Sequence, residues 1–272
     1  MDHSLPRLRL RGAPVTAADL HALALAPYGH FTSMQVRDGA VRGLDLHLER
    51  LAAATRALFD HPLSPARVRT ELRAALDGQG GGLSLRLNVF ARGLGMREPD
   101  AAAEPELLVT LLPPAGPAAA PLRVRSTVHG RYLPAIKHVG TFELLHQRRL
   151  ARREGWDDAL FVDARGEIAE GSIWNVGFVS DDGGLRVTWP SAPALPGISQ
   201  QLLQQALAAR GIATETRPVR LSELGRFRGA FFSNCSHAVQ PIAQIDTQTF
   251  AADAEVYGPL SAAYEALPWD AI

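Results

Sequence analysis

The chain has 272 residues, 46% hydrophobic and 21% charged, enough for one large or two ordinary domains with real cores. Its 28 Lys+Arg balance 28 Asp+Glu, and a formal net charge of +0 argues against nucleic acid or an anionic membrane as a general partner. The single cysteine, Cys235, rules out an internal disulfide framework and fits a reducing cytoplasm; no run nears the ~20 apolar residues of a membrane span, and Met1 to Pro14 does not read as a signal peptide.

In chain order, Phe31 to Arg37 predicts a strand, closed by the hairpin turn signal Asp38-Gly39. Leu44, Leu48, Leu51, Ala54 and Leu58 recur at helical spacing and form one apolar stripe. A second helix opens with Ser64 as N-cap and Pro65 at its first position, and Gly78 ends it. Leu83–Phe90 and Leu107–Leu112 read as strands. The run Pro113-Pro114-Ala115-Gly116-Pro117-Ala118-Ala119-Ala120-Pro121 then interrupts regular structure, because proline removes backbone donors and fixes φ. It reads as a linker between a domain over 1–112 and a second over 122–272.

Beyond it come a strand at 122–128, a loop holding Lys137, and a helix over about 142–153. Strands follow at 158–162, 167–169 and 174–179. Asp181-Asp182-Gly183-Gly184 predicts a hairpin turn before a strand at 185–189. Pro196-Gly197 precedes a helix over about 198–209. Strands near 214–220 and 230–233 and a short helix near 261–266 complete the chain. The pattern is α+β, strand-rich in both halves, and lacks the strict βαβ alternation of a dinucleotide-binding fold.

Lys137 is the only lysine; every other basic residue is arginine. Arginine supplies charge, but its guanidinium stays protonated and is a poor nucleophile. A lysine can lose its proton when buried and form a Schiff base with an aldehyde or ketone. A stray surface lysine explains the count equally well, so the surroundings must decide. Four further segments carry chemistry. Glu170-Gly171-Ser172-Ile173-Trp174-Asn175 sets a carboxylate beside a glycine that permits close backbone approach. Leu195-Pro196-Gly197-Ile198-Ser199 leaves backbone N–H groups at the positive end of a helix, a phosphate seat. His47-Leu48-Glu49-Arg50-Leu51 offers an arginine suited to bidentate phosphate binding. Ser233-Asn234-Cys235-Ser236-His237 follows a strand with small polar residues. Taken singly, each also reads as a solvated turn, a helix junction, a surface arginine or a polar loop. Taken together, an aldehyde-reactive lysine, an anion seat and a carboxylate meet the needs of pyridoxal 5′-phosphate (PLP).

The order Gly-x-Phe-Thr, Asp-Gly, His-Leu-x-Arg-Leu, Ile-Lys-His, Gly-x-x-Asp-Ala-Leu-Phe-x-Asp, Gly-x-Ile-x-Glu-Gly-Ser-x-x-Asn and Leu-Pro-Gly-Ile-Ser, running from Tyr28 to Asp246, resembles the class IV aminotransferases. This is the fold-type IV group of PLP enzymes. It includes branched-chain and D-amino-acid aminotransferases and 4-amino-4-deoxychorismate lyase. The resemblance implies a two-domain α+β fold of the D-amino-acid aminotransferase type, with mixed sheet plus helices in both domains. It implies that Lys137 is the Schiff-base lysine and proton shuttle, and that Glu170 partners the pyridine nitrogen. Arg50, Ile198, Ser199, Cys235 and Ser236 fall at phosphate-binding positions, and Asn175 lies in the matching cofactor block with Trp174 beside it. For the substrate, Arg86 and Arg92 share one face of the strand Leu85–Arg92 by period two, and Phe31 stands in the Gly-x-Phe-Thr motif.

Three departures are visible. Phe142 stands where branched-chain aminotransferases place a tyrosine, Gln200 follows Ile-Ser where arginine is usual, and Leu25-Ala26-Pro27-Tyr28 differs from the family's acidic-glycine lead. The implied activity is transfer of an amino group from an amino acid or amine to a 2-oxo acid. The same machinery could expel a leaving group, as the lyases do, and a non-catalytic homologue is a third reading that the presence of both Lys137 and Glu170 disfavours. The resemblance also implies a homodimer, with each site near the subunit interface, and the single cysteine leaves the expected location cytoplasmic. No metal is expected.

Overall fold

The computed structural model describes residues 7–25, 27–95, 97–118, 120–180, 183–251 and 253–272. Four sequence expectations therefore fall partly outside the described residues: Met1 to Pro6 of the N-terminal segment, Ala26 of the Leu25–Tyr28 segment, Ala119 of the proline-rich run, and Asp181-Asp182 of the hairpin turn. The chain divides into two compact units. Unit 1 comprises Met1–Gly116, Ile136–Gly140 and Pro268–Ile272; unit 2 comprises Pro117–Ala135 and Thr141–Leu267.

Unit 1 is built in chain order from β1 (Arg7–Leu10), β2 (Ala13–Pro14), α1 (Ala17–Leu25), β3 (Gly29–Arg37), β4 (Ala40–Val41), α2 (Leu44–Phe59), α3 (Pro65–Leu76), β5 (Gly82–Ala91) and β6 (Pro105–Leu112). Among the described residues its sheet has seven strands, ordered from the C-terminal strand Asp270–Ala271 through β4, β3, β5, β6 and β1 to β2. Every pairing is antiparallel. The turn between β3 and β4 holds Asp38 at φ 48° and Gly39 at φ 74°, the left-handed pair that a tight hairpin of this twist needs. On α2 the stripe Leu44, Leu48, Leu51 and Ala54 is buried as its spacing predicts, while Leu58 near the helix end is half-buried; Leu44, Leu48 and Leu51 pack with Leu72 of α3 and Leu85, Leu87 and Val89 of β5. Ser64 precedes α3 with Pro65 at its start, as expected, but its side chain makes no capping bond.

The expected split at 113–121 contains the first crossing between units but omits two short returns. Residues 136–140 belong to unit 1 because their backbone pairs with β3: Phe31 N donates to Lys137 O and Val139 N to Gly29 O, each at 2.9 Å. Residues 268–272 belong there because Asp270–Ala271 pairs with β4. Long-range pairing of this kind leaves no local sequence signal.

Unit 2 contains β7 (Leu122–Val128), α4 (Phe142–Arg153), β8 (Asp158–Val162), β9 (Ile168–Gly171), β10 (Asn175–Ser180), β11 (Arg186–Pro190), α5 (Ile198–Ala209), β12 (Ala213–Arg217), β13 (Gly229–Ser233), β14 (Gln240–Ile245), β15 (Gln248–Thr249) and α6 (Ala254–Glu265). Its sheet runs β12-β11-β10-β13-β14-β7-β8-β9, with β15 paired to β14. It is mixed, parallel at β11–β12, β14–β7 and β7–β8. β8 is buried along its whole length, which is why Ala159–Val162 reads as an unbroken apolar run. The last helix starts seven residues before the expected 261, capped by Asp253, whose side chain accepts from Val256 N at 3.1 Å. Pro259 lies inside it and hides its first half from a sequence reading. Among the described residues no helix is long and apolar enough to cross a membrane.

Candidate active site

The expected site residues divide between the units. Unit 1 carries Phe31, Arg50, Arg86, Arg92 and Lys137; unit 2 carries Glu170, Asn175, Ile198, Ser199, Cys235 and Ser236. Each half has its own geometry.

In unit 1, β3 is the scaffold. Its Phe31 N–H holds the Lys137 carbonyl and its Gly29 carbonyl holds Val139 N, and the lysine stands beside Phe31 with Nζ 5.0 Å from the ring centroid. The guanidinium carbon of Arg86 lies over the same ring at 3.6 Å. Arg86 Nε donates to Asn88 Oδ1 at 2.9 Å. Burial lowers the Arg86 pKa from its usual value, because a desolvated guanidinium loses hydration that water would supply.

Behind Phe31 lie buried polar groups. Arg50 Nη2 donates to Thr32 Oγ1 at 2.5 Å, and His47 Nδ1 sits 2.6 Å from that oxygen. His30 Nε2 meets Thr55 Oγ1 at 2.9 Å, and Thr55 donates to Leu51 O at 2.8 Å. Burial first and the Arg50 charge second push the His30 pKa down to about 4. Burial, Arg50 and then Lys137 push that of His47 well below 6.5. Both imidazoles are therefore neutral at pH 7.

Arg92 does not join this group. It lies just past the end of β5 and is held by Glu106 (2.5 Å) and Asp19 (2.5 Å), a carboxylate pair that raises its pKa. The period-two reading placed Arg86 and Arg92 on one face, but only tertiary contacts reveal that the second is an ion-pair partner at the strand edge.

In unit 2, Glu170 is the last residue but one of β9 and is 3% exposed. Its Oε1 accepts from Arg131 Nε at 2.9 Å and its Oε2 from Leu195 N at 3.3 Å. Asn175 donates from Nδ2 to Leu195 O at 2.7 Å. Its Oδ1 is so close to Gly197 that a Cβ there would sit 1.8 Å away, so glycine is required by space. Ile198 and Ser199 open α5 behind Gly197, both buried; no side chain caps the helix and its first turn has no acidic residue. Cys235 and Ser236 follow β13. Here the expectation is modified: the Ser236 N–H is taken by Asn234 Oδ1 at 2.9 Å, which folds the loop on itself.

A second carboxylate holds the Glu170–Asn175 passage. Asp158 is 1% exposed. Its Oδ1 accepts from Ser172 Oγ at 2.5 Å and Ala159 N at 2.8 Å; its Oδ2 accepts from Trp174 Nε1 at 3.0 Å and lies 3.2 Å from Arg148 Nε. This pins Ser172 and Trp174 to the start of β8, and with them the turn that follows Glu170. Sequence reasoning missed Thr32, His47, Arg131, Arg148 and Asp158 as site-builders. For His47 a signal existed, since it falls on the buried stripe of α2, where a polar residue needs a partner. Arg131 and Arg148 carried none.

Over residues 29–245 the chain matches the family described as amino-transferase class IV. The chain belongs to that family. A stretch of 100 residues, 36% of the chain, is 31% identical to a probable branched-chain-amino-acid aminotransferase of Rickettsia felis and spans 33% of that relative's length. Among solved structures, the branched-chain aminotransferase of Thermoproteus uzoniensis with norvaline superposes at TM-score 0.83, with 19% identity over 96% of this chain and 93% of the other. The PLP-bound form of a hypothetical aminotransferase from Mycobacterium tuberculosis superposes at TM-score 0.76, with 21% identity over 94% of this chain and 98% of that one. The family resemblance drawn from the motifs holds, and the fold is that of the fold-type IV aminotransferases.

Proposed function

We propose that this class IV family member is a PLP-dependent aminotransferase, moving an amino group between an amino acid or amine and a 2-oxo acid. The observation that carries this reading is the setting of Lys137: the chain's only lysine, bonded by its backbone to β3 and packed beside Phe31, inside the family-matched span. PLP, when bound, supplies an aldehyde for a lysine amine and a ring that accepts electrons from the substrate.

The residues present fit that group. Among the described residues, Ser233 Oγ is buried without a hydrogen-bond partner, on the strand position paired with Asn175, and the uncapped start of α5 follows the crowded Gly197. Buried polar atoms normally have partners, so a missing one supports a ligand there. Lys137 would hold the cofactor covalently; once free, its neutral amine would take the proton from the substrate α-carbon and hand it to the cofactor's aldehyde carbon. Glu170, a buried carboxylate, would keep the pyridine nitrogen protonated. By the family resemblance the phosphate falls to Arg50 of unit 1 and, in unit 2, to the N–H groups of Ile198 and Ser199 and the Cys235–Ser236 segment, with Asn175 bracing the segment before α5. Arg86 would receive the substrate carboxylate, with Phe31 as the platform under its guanidinium.

The protein works in the cytoplasm as a homodimer, on this reading. The lone cysteine supports the compartment. Exposed Val128, Tyr132, Phe142 and Leu145 of unit 2, each at least 66% exposed, support burial against a second copy. The test is borohydride reduction in the presence of PLP, followed by peptide mapping and a panel of L-, D- and non-α amines against pyruvate and 2-oxoglutarate. A pyridoxyl mass on Lys137 together with oxo-acid-dependent amine transfer is the expected result. Unmodified Lys137 in saturated, reduced protein overturns it.

A further inference from the structure

Unit 1 buries two histidine–threonine pairs, and they end differently. In the first, His30 Nε2 meets Thr55 Oγ1, and Thr55 donates to the Leu51 carbonyl. That pair closes on the backbone of its own helix. In the second, His47 Nδ1 meets Thr32 Oγ1, and the oxygen receives Arg50 Nη2. That pair ends on a guanidinium.

The Thr32 hydroxyl has one proton and two lone pairs. With Arg50 donating to one lone pair, the hydroxyl still bonds His47 Nδ1 in either tautomer, donating to a bare Nδ1 or accepting from a protonated one. The ring is neutral in both cases, because burial beside Arg50 and Lys137 holds its pKa down. Thr32 is 0% exposed and His47 3%, so water does not compete for these bonds. A hydroxyl and an imidazole in a core are costly unless bonded, and a long, mobile arginine side chain is costly to hold still. The chain of contacts meets both costs at once.

We propose that Thr32 and His47 are positioning residues that fix the Arg50 guanidinium in advance for the cofactor phosphate. This rests on the reading of Arg50 as a phosphate-binding residue. The first pair, His30–Thr55, then has a purely architectural role and serves as the internal control.

The experiment compares dissociation constants for PLP and for pyridoxal, which lacks the phosphate, by absorbance titration of the purified full chain. The readout is the PLP preference over pyridoxal, which a general loss of fold does not move selectively. Thr32→Val should cut that preference about tenfold, the scale of one charge-assisted hydrogen bond, and Thr32→Ser should restore it. His47→Leu should cut it less, since His47 reaches Arg50 only through Thr32, and His47→Asn, which keeps an acceptor, should restore it. Thr55→Val should lower the melting temperature and leave the preference intact. Arg50→Gln separates the two readings. If it abolishes the preference while both Thr32→Val and His47→Leu leave it at the wild-type value, the positioning role is overturned and the phosphate role stands. If Arg50→Gln itself leaves the preference unchanged, the phosphate reading falls and the positioning role with it.

Discussion

Between β3 and α2 of unit 1 the buried polar side chains are His30, Thr32, His47 and Thr55, all uncharged at neutral pH. Around the Glu170–Asn175 passage of unit 2 the buried charged groups are two carboxylates, Asp158 and Glu170, each met by an arginine. The first arrangement leaves the region electropositive: Arg50 acts on both histidines, and Lys137 on His47 as well. The second matches charge with charge at short range. An electropositive, neutrally wired wall suits an anion that arrives and leaves, whereas a paired carboxylate is a fixed charge held for one orientation. The two units thus bury their polar side chains in different ways, and four measurements break or sharpen that contrast.

The largest effect is expected at the two groups proposed to act on the cofactor, one in each unit. Lys137→Arg keeps the charge but removes the nucleophile and shuttle, and turnover should fall by at least about a thousandfold. Glu170→Gln keeps the shape and should lose about a hundredfold with modest loss of cofactor, because a fixed charge acts mainly on the transition state. Steady-state kinetics alongside cofactor titration checks both. Near-wild-type turnover in either variant would remove that residue from the chemistry.

Asp158→Asn comes next. It leaves Arg148 without its carboxylate and turns an amide nitrogen toward one of the donors Ser172 and Trp174. A loss of about 3 kcal/mol is expected, lowering Tm by roughly 6 °C or more. Calorimetry reads it, and an unchanged Tm would mean that the paired-charge account of unit 2 is wrong.

Acid should separate the units. The His30 pKa is lowered from 6.5 to about 4, so the unfolded chain takes up a proton between those values while the folded one does not. Stability from this group is full above pH 6.5 and falls as pH drops toward 4, by on the order of 3 kcal/mol. His47 acts in the same direction. In unit 2 the depressed groups are the carboxylates Asp163 and Glu223, whose contribution is lost only at lower pH. Peptide-resolved hydrogen exchange, corrected for intrinsic rates, should show β3 and α2 losing protection first between pH 7 and 5. Earlier loss in β8 or β10 would reverse the comparison.

The smallest effects concern the two arginines of the β5 face. Arg86→Gln should raise KM for the 2-oxo acid about tenfold. Arg92→Gln should leave KM alone and cost under about 1 kcal/mol, since its ion pair is partly exposed. Equal KM changes in both variants would return Arg92 to the substrate side.

Sequence alone determined the local events of this protein. The Asp38-Gly39 hairpin, the start of α3 at Pro65, the apolar stripe of α2 and the entry of α5 behind Gly197 follow from residue-scale sterics and periodicity acting over a few neighbours. The lone lysine and the Glu-Gly-Ser-x-x-Asn block marked the chemistry because few residue types can perform it. Tertiary structure decided the rest. It assigned Lys137 to unit 1 by pairing its backbone with β3, held Arg92 on Glu106, joined both Arg50 and His47 to Thr32, and set Asp158 behind Ser172 and Trp174. Each of these joins groups at least 14 residues apart, and their bonds exist only because burial removes the competing water; no local pattern encodes which distant partner will be brought within reach.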